Sequence, residues 1–384
     1  MTHQIDASVV GAGERRLRFR WAAALATVAV ASGAALWAAW PAAAATIVHV
    51  SPGHSIQAAI DAATGPETIV VDPGTYHESL LIQKDGITLQ GGGDEPGETV
   101  ILQPTQVPEN ACIAATGAVS GICVLAKTFD QNGNPLSLVN HTTIENLTVN
   151  GFQAQGILAV GADGITVRDT SLNNDGDYGV FSLQSTDITY VDNRAKGAGE
   201  AGFYVGDSPN AEAVETNNVS SGNQFGFFFR ESHHGTLSGN TAKGNCAGFV
   251  VLDAGGTTGA GDVTIRDNKA SANDRFCPAV PPPSMEAHPP ISGNGIALIG
   301  AVRTTVADNN VFNNVNTSTT ASPFSAGILV ITAAPFHGAD PSNDTIKSNE
   351  MSGNQPADIV WDGTGSGNAF ITNQCHTSIP SGLC

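Results

Sequence analysis

From Gly156 onward the chain repeats one short pattern, a glycine followed by a pair of apolar residues. It reads Gly156-Ile157-Leu158, Gly179-Val180-Phe181, Gly202-Phe203-Tyr204, Gly226-Phe227-Phe228 and Gly248-Phe249-Val250, at steps of 23, 23, 24 and 22 residues. The pattern returns at Gly295-Ile296-Ala297 and Gly327-Ile328-Leu329, and in degenerate form at Asp358-Ile359-Val360, after longer intervals. A second column keeps the same period. Asn193, Asn217, Asn240, Asn268, Asn309, Asn349 and Asn373 follow short β-type stretches such as Val263-Thr264-Ile265. A further Asn often comes five residues later, as at Asn245, Asn273, Asn314 and Asn354.

Short strands of alternating character divided by Gly, Asn and Asp turns cannot bury an apolar face alone. Stacked about 4.8 Å apart, they pair in register and enclose a continuous core. The pattern therefore predicts an all-β chain, a single-domain right-handed parallel β-helix with coils of about 23 residues. Alternation sends Val180, Phe203, Phe227 and Phe249 inward. The Asn column is expected to form a ladder inside turns, because Asn accepts left-handed backbone geometry and its amide can bond to the Asn above and below. Residues 55–63 read as a short helix with Ser55 as N-cap, suited to covering strand edges at the N-terminal end. The Pro-rich stretch 277–290 and the Thr/Ser-rich stretch 316–325 read as loops inserted into coils.

The first 45 residues stand apart. Arg15, Arg16, Arg18 and Arg20 precede an apolar, Ala-rich run over 21–40, and Pro41 leads into Ala42 to Ala45. This is the layout of a secretory signal peptide, with cleavage expected near Ala45. Residues after the arginine pair depart from the twin-arginine pattern, so the general secretory route fits better. The expected division is a signal peptide over 1–45 and a β-helix over 46–384, secreted and left without a stable membrane anchor. Removing four basic and two acidic residues leaves 12 Lys+Arg against 33 Asp+Glu, a net charge of −21. That argues against nucleic acid and anionic membrane surfaces as partners. Six cysteines follow the leader, which suits disulfides in an exported chain. Proximity favours Cys112–Cys123, Cys246–Cys277 and Cys375–Cys384 among the 15 pairings that six cysteines allow.

Three segments carry a resemblance. The stretch 49–61, with His49-Val50-Ser51-Pro52-Gly53 and Ser55-Ile56-Gln57-Ala58-Ala59-Ile60-Asp61, is followed by Asp72-Pro73-Gly74-Thr75-Tyr76-His77-Glu78 and Ile87-Thr88-Leu89-Gln90-Gly91. Together they resemble the opening of pectate-lyase-like β-helix proteins. The Asn and Gly-Ile columns are similar to the β-helix repeats of the NosD and carbohydrate-binding or sugar-hydrolase families. Residues 176–209 resemble a group of secreted actinobacterial β-helix proteins of unassigned function. The resemblance implies the fold; it leaves activity open, because one fold hosts many chemistries. The chain lacks the Asp-Pro-His-Asp of mannuronan epimerases and the signatures of polygalacturonases and pectin esterases. It also lacks the Met/His cluster that a NosD-like role in copper-site assembly would need. Pro73-Gly74-Thr75-Tyr76 with Glu78 reads as a structural turn.

Stacking turns columns into surface stripes. The second position after each glycine should point outward, and it holds Phe181, Tyr204 and Phe228 on consecutive coils. These could stack sugar rings as a substrate platform; the alternative is that the inserted loops or a second subunit cover them. The fifth position holds Gln184, Asp207, Glu231 and Asp253. Acids on neighbouring coils would sit about 5 Å apart, close enough to raise a pKa or to hold Ca²⁺ through oxygen ligands. Such a pair suits acid/base work on a glycosidic bond. Arg230 could neutralise a uronate or act as base in β-elimination, and His233 could shuttle a proton. The expected catalytic set is thus Asp207, Glu231, Arg230 and His233, with Asp253 and the three rings on substrate. The plain alternative is a solvated acidic turn with one surface ion pair. A lesser cluster, Asp175, Asp177 and Glu200 with Lys196 nearby, reads as ordinary turn chemistry, with a calcium site or a second carboxylate pair as the alternatives.

Two functions follow as expectations. The first is a secreted carbohydrate-active or carbohydrate-binding protein whose partner is a polysaccharide, acting as a lyase or hydrolase if it is an enzyme. The second is a non-catalytic extracellular scaffold whose stripe is a protein contact. The sequence leaves the oligomeric state open.

Overall fold

A computed structural model describes residues 46–93, 95–281 and 288–384, so the expected leader over 1–45 lies outside the described residues. The chain winds into three long parallel sheets. The first has 12 strands, from Thr46–Val50 to Ala369–Ile371; the second has 10, from Gly74–His77 to Glu350–Ser352; the third has 11, from Leu80–Ile82 to Ser378–Ile379. Each strand pairs with its equivalent one coil away. In the third sheet Val180, Phe203, Phe227, Phe249, Ile296 and Ile328 form a single column of partners. This is the repeating glycine column, now seen as one stripe of stacked strands.

The period follows from burial. Positions one and three after each glycine point inward and fill the solenoid. Phe203, Phe227 and Phe249 are fully buried. Their rings stack at 5.1 and 4.7 Å between centroids, a spacing that the parallel ladder imposes and dispersion rewards.

Two asparagine ladders hold the turns on either side of the second sheet. The first runs Asn193, Asn218, Asn240, Asn268, Asn309, Asn349 and Asn373. The second runs Asn223, Asn245, Asn273, Asn314 and Asn354. Two expectations change. The ladder member is Asn218, which is buried, and not Asn217, which is exposed. The left-handed backbone also belongs to the residue before each ladder position, as at Asp192, Asn217, Asp267 and Asp308. One residue turns the chain; the next spends its amide on the coils above and below.

Near the N-terminus, Ile56–Ala62 is helical, and the Ser55 hydroxyl accepts from the Ala58 N–H. Ile56 and Ile60 enter the core. The Glu78 carboxylate accepts from the N–H groups of Ile56 and Gln57 and from the Ser55 hydroxyl. The Tyr76 hydroxyl donates toward the carbonyls of Val50 and Asp72. Pro73-Gly74-Thr75-Tyr76 and Glu78 therefore serve the fold, by closing a turn and satisfying the open N–H groups of a helix start.

All three disulfides expected from proximity form: Cys112–Cys123, Cys246–Cys277 and Cys375–Cys384. Among the described residues no helix is long and apolar enough to cross a membrane. Among the described residues, the longest connections between strands flank the third sheet. Segments 103–121, 274–293 and 315–325 lead into it, and 126–138, 253–260 and 332–341 lead out.

Candidate functional site

The outer face of the third sheet begins with the second position after each glycine. The side chains there do leave the core, but they are not open. Phe181, Tyr204 and Phe228 are 7%, 4% and 6% exposed. They belong to a second apolar cluster that also takes in Cys246, Cys277, Ile291 and Phe324, drawn partly from the inserted loops. Phe181 stacks on Tyr204 at 4.6 Å, Tyr204 meets Phe228 edge-on at 5.2 Å, and Tyr178 and Phe225 close the group from the position before the glycine. An open stacking platform is therefore not what these rings form. Their faces are covered by one another and by apolar neighbours. Strand alternation predicts direction; it carries no information about loops inserted tens of residues away.

One polar group rises from this apolar floor. Tyr204 folds back along its own strand over Gly206, and its hydroxyl meets the Arg230 guanidinium. Arg230 pairs across the coils with Asp207, Nη1 to Oδ1 at 3.3 Å. The Asp207 side chain is 43% exposed and that of Arg230 is 35% exposed. Burial pushes the Asp207 carboxyl above the usual carboxylate range, with Arg230 pulling the other way. Burial also raises the Tyr204 phenol; Arg230 opposes this, and Asp207 and Glu200 add to it. Burial disfavours the Arg230 charge, but Tyr204 and Asp207 outweigh it and hold the guanidinium protonated.

The rest of the acidic column does different work. Glu231 is buried, its carboxylate accepting from the N–H groups of Ala254 and Gly259. Asp253 is buried and accepts from Gly255 and, at 2.7 Å, from Ala339. These two acids moor the segments 254–259 and 334–339 beside the sheet. Burial raises the Glu231 carboxyl, its backbone donors lower it and Asp253 raises it further. His233 is tied at both ring nitrogens, Nδ1 to Asp262 at 2.8 Å and Nε2 to the Thr258 carbonyl at 3.0 Å. Arg303 forks onto the same Asp262 through two contacts of 2.6 Å. So Asp207, Arg230 and Tyr204 form one cluster, while Glu231, Asp253 and His233 bind neighbouring stretches of chain. Sequence reasoning missed Gly206, whose signal is a glycine two residues after an outward tyrosine, on the same strand face.

Among the described residues no group of three His, Cys, Asp or Glu side chains is placed to hold a metal ion. Asp175, from the lesser cluster, is buried with Oδ1 accepting from the Phe152 N–H, so it belongs to a turn. A polar groove of about 590 Å³ lies elsewhere, along the turn between the first and second sheets. Its lining mixes signs, with Glu145 already paired to Arg168, and it presents no cluster comparable to Asp207, Arg230 and Tyr204.

The fold has relatives among solved structures. The A-module of the mannuronan C-5 epimerase AlgE4 from Azotobacter vinelandii superposes with a TM-score of 0.53 at 21% identity, over 83% of this chain and 90% of that one. The catalytic domain of a GH87 α-1,3-glucanase in complex with tetrasaccharides gives a TM-score of 0.55 at 15% identity, over 85% of this chain and 57% of that one. At such identities the likeness is one of fold. No curated protein sequence matches the chain. Residues 136–338 match the family described as the right handed beta helix region, and the protein belongs to that family.

Proposed function

We propose that the protein is an exported carbohydrate-active β-helix that engages a polysaccharide along the outer face of its third sheet, with Asp207, Arg230 and Tyr204 as the reactive cluster. The observation that carries this reading is the contrast within the acidic column. Glu231 and Asp253 give their carboxylates to backbone N–H groups, whereas Asp207 keeps a half-exposed carboxyl beside a guanidinium. A carboxyl that burial raises above the usual carboxylate range is better suited to give a proton to a glycosidic oxygen, and its ionised form can take one from a sugar carbon. Arg230 would neutralise a uronate or the negative charge that develops during the reaction. The named activities of the two fold relatives, an epimerase and a glucanase, support a polysaccharide as substrate. The three disulfides support export, and the net charge of −21 after the leader argues against nucleic acid as a partner.

The test is reducing-end release by residues 46–384 from neutral and acidic polysaccharides, together with direct binding to the same panel. We expect Asp207→Asn to lower turnover by about 100-fold or more and to leave the fold intact. Release that survives Asp207→Asn would remove the cluster from the chemistry. The absence of both release and binding across the panel would favour the scaffold reading, with its contact surface elsewhere than the buried rings of Phe181, Tyr204 and Phe228.

A further inference from the structure

The ladders obey one rule. Each ladder asparagine accepts, at Oδ1, the N–H of the ladder residue one coil earlier. It also donates, through Nδ2, to the carbonyl three residues before that position. Asn218 donates to Tyr190, Asn240 to Glu215 and Asn268 to Leu237. In the second ladder Asn223 donates to Ala195, Asn245 to Ser220 and Asn273 to Ala242. Two acids occupy positions of the same kind. Asp175 follows the left-handed Asn174, and its Oδ1 accepts from the Phe152 N–H. Asp344 follows the left-handed Asn343, and its Oδ1 accepts from the Thr304 N–H. Its own N–H donates to Asn368, whose Nδ2 donates to the Pro341 carbonyl, three residues before Asp344.

In both acids Oδ2 stands where a ladder amide carries its N–H donors. By the rule it is directed at a carbonyl, that of Val149 for Asp175 and that of Ala301 for Asp344. Both Oδ2 atoms are buried and find no donor. Two acceptor oxygens facing each other in a dry interior repel, and a buried carboxylate with one oxygen unpaired is costly. A protonated carboxyl resolves both problems, since it offers one O–H donor and one acceptor, as an asparagine side chain does.

We propose that Asp175 and Asp344 are neutral carboxylic acids in the folded protein, each standing in for a ladder asparagine through an O–H donated to the coil before it. The surroundings agree. Asp175, pushed up to about 8 by burial, is opposed only by the backbone N–H groups of Phe152 and Gly151. Asp344, pushed up to about 7 by burial, is opposed by the Thr304 N–H and by Arg303, whose guanidinium is already forked onto Asp262. A third buried acid, Glu215, with its Oε2 likewise unpaired and Tyr190 facing it, lies inside the solenoid and off the ladders.

The folded state then binds protons that the unfolded chain releases near the ordinary aspartate value of 3.8. The stability supplied by the two acids is complete below that value. It is lost as pH rises through about 7 for Asp344 and about 8 for Asp175. The experiment compares the thermal midpoint of residues 46–384 with Asp175→Asn, Asp344→Asn and the double variant, at about pH 4.5 and about pH 8.5. We expect each Asn variant to match the native protein at the lower pH and to exceed it by several degrees at the higher. The double variant should lose most of the alkaline fall, leaving the part due to Glu215. Infrared spectra near neutral pH should show a protonated-carboxyl stretch in the native protein that weakens in the double variant. A native protein without that band, a band unchanged in the double variant, an Asn variant less stable at the higher pH, or a double variant that fails to fold would each overturn the proposal.

Discussion

The ring of Tyr204 lies directly over Gly206, where the first carbon of any side chain would collide with the ring edge and the hydroxyl. The absence of a side chain at 206 is therefore what lets the phenol reach Arg230. Gly206→Ala should swing the ring away and break the Tyr204–Arg230 contact, while the coil still closes. We expect activity or binding to fall about tenfold or more, a loss of ~1.4 kcal/mol, with far-UV circular dichroism unchanged. Full activity in Gly206→Ala would show that the phenol plays no part.

The ladder position predicts a contrast between neighbours. Asn218→Ala removes an acceptor for the Asn193 N–H and a donor to the Tyr190 carbonyl, both buried. The cost should be about 2–3 kcal/mol in urea unfolding. Asn217 is exposed with φ of 56°, so Asn217→Gly should stay within about 0.5 kcal/mol of the native protein. Equal costs at the two positions would mean that the ladder register is misassigned.

Phe228 should behave as a core residue. Phe228→Ala is expected to lower stability by about 3 kcal/mol, and denaturant unfolding will show whether it does. A ring standing free to stack on sugar would cost little stability and much affinity.

Asp262 predicts the acid limb of stability. Hydrogen bonds from Arg303, ahead of those from His233, hold its carboxyl down at about 2. Stability from this depressed group is present above the ordinary value of 3.8 and is lost as pH falls through about 2. Arg303→Ala should cost about 1 kcal/mol at neutral pH, after allowance for solvent screening. It should also shrink the acid-induced loss and make it end at a higher pH, measured as the thermal midpoint against pH.

Much of the fold was legible because a solenoid writes its geometry into period. The glycine column, the inward phenylalanines and the disulfide partners could all be read from spacing. The ladder slipped by one residue at Asn217 because both neighbours are asparagine, and only the backbone separates the residue that turns from the residue that bonds. The site was less legible. The column placed Asp207, Glu231 and Asp253 together, but nothing local says that Ala254, Gly259 and Ala339 claim two of the three carboxylates. The aromatic stripe was misjudged for a related reason, since its cover comes partly from Cys277, Ile291 and Phe324 in the inserted stretches.

The two ladders also keep a constant interval. Asn218 to Asn223, Asn240 to Asn245, Asn268 to Asn273, Asn309 to Asn314 and Asn349 to Asn354 are each five residues apart, whereas bonded neighbours along the second ladder are separated by 22, 28, 41 and 40 residues. The asparagines act as registration marks that reset the winding once per turn. However much chain is added between marks, the next coil begins at the same phase. The second sheet is thus a fixed spine, and the third-sheet side is where new chain can be carried without disturbing the coils above or below.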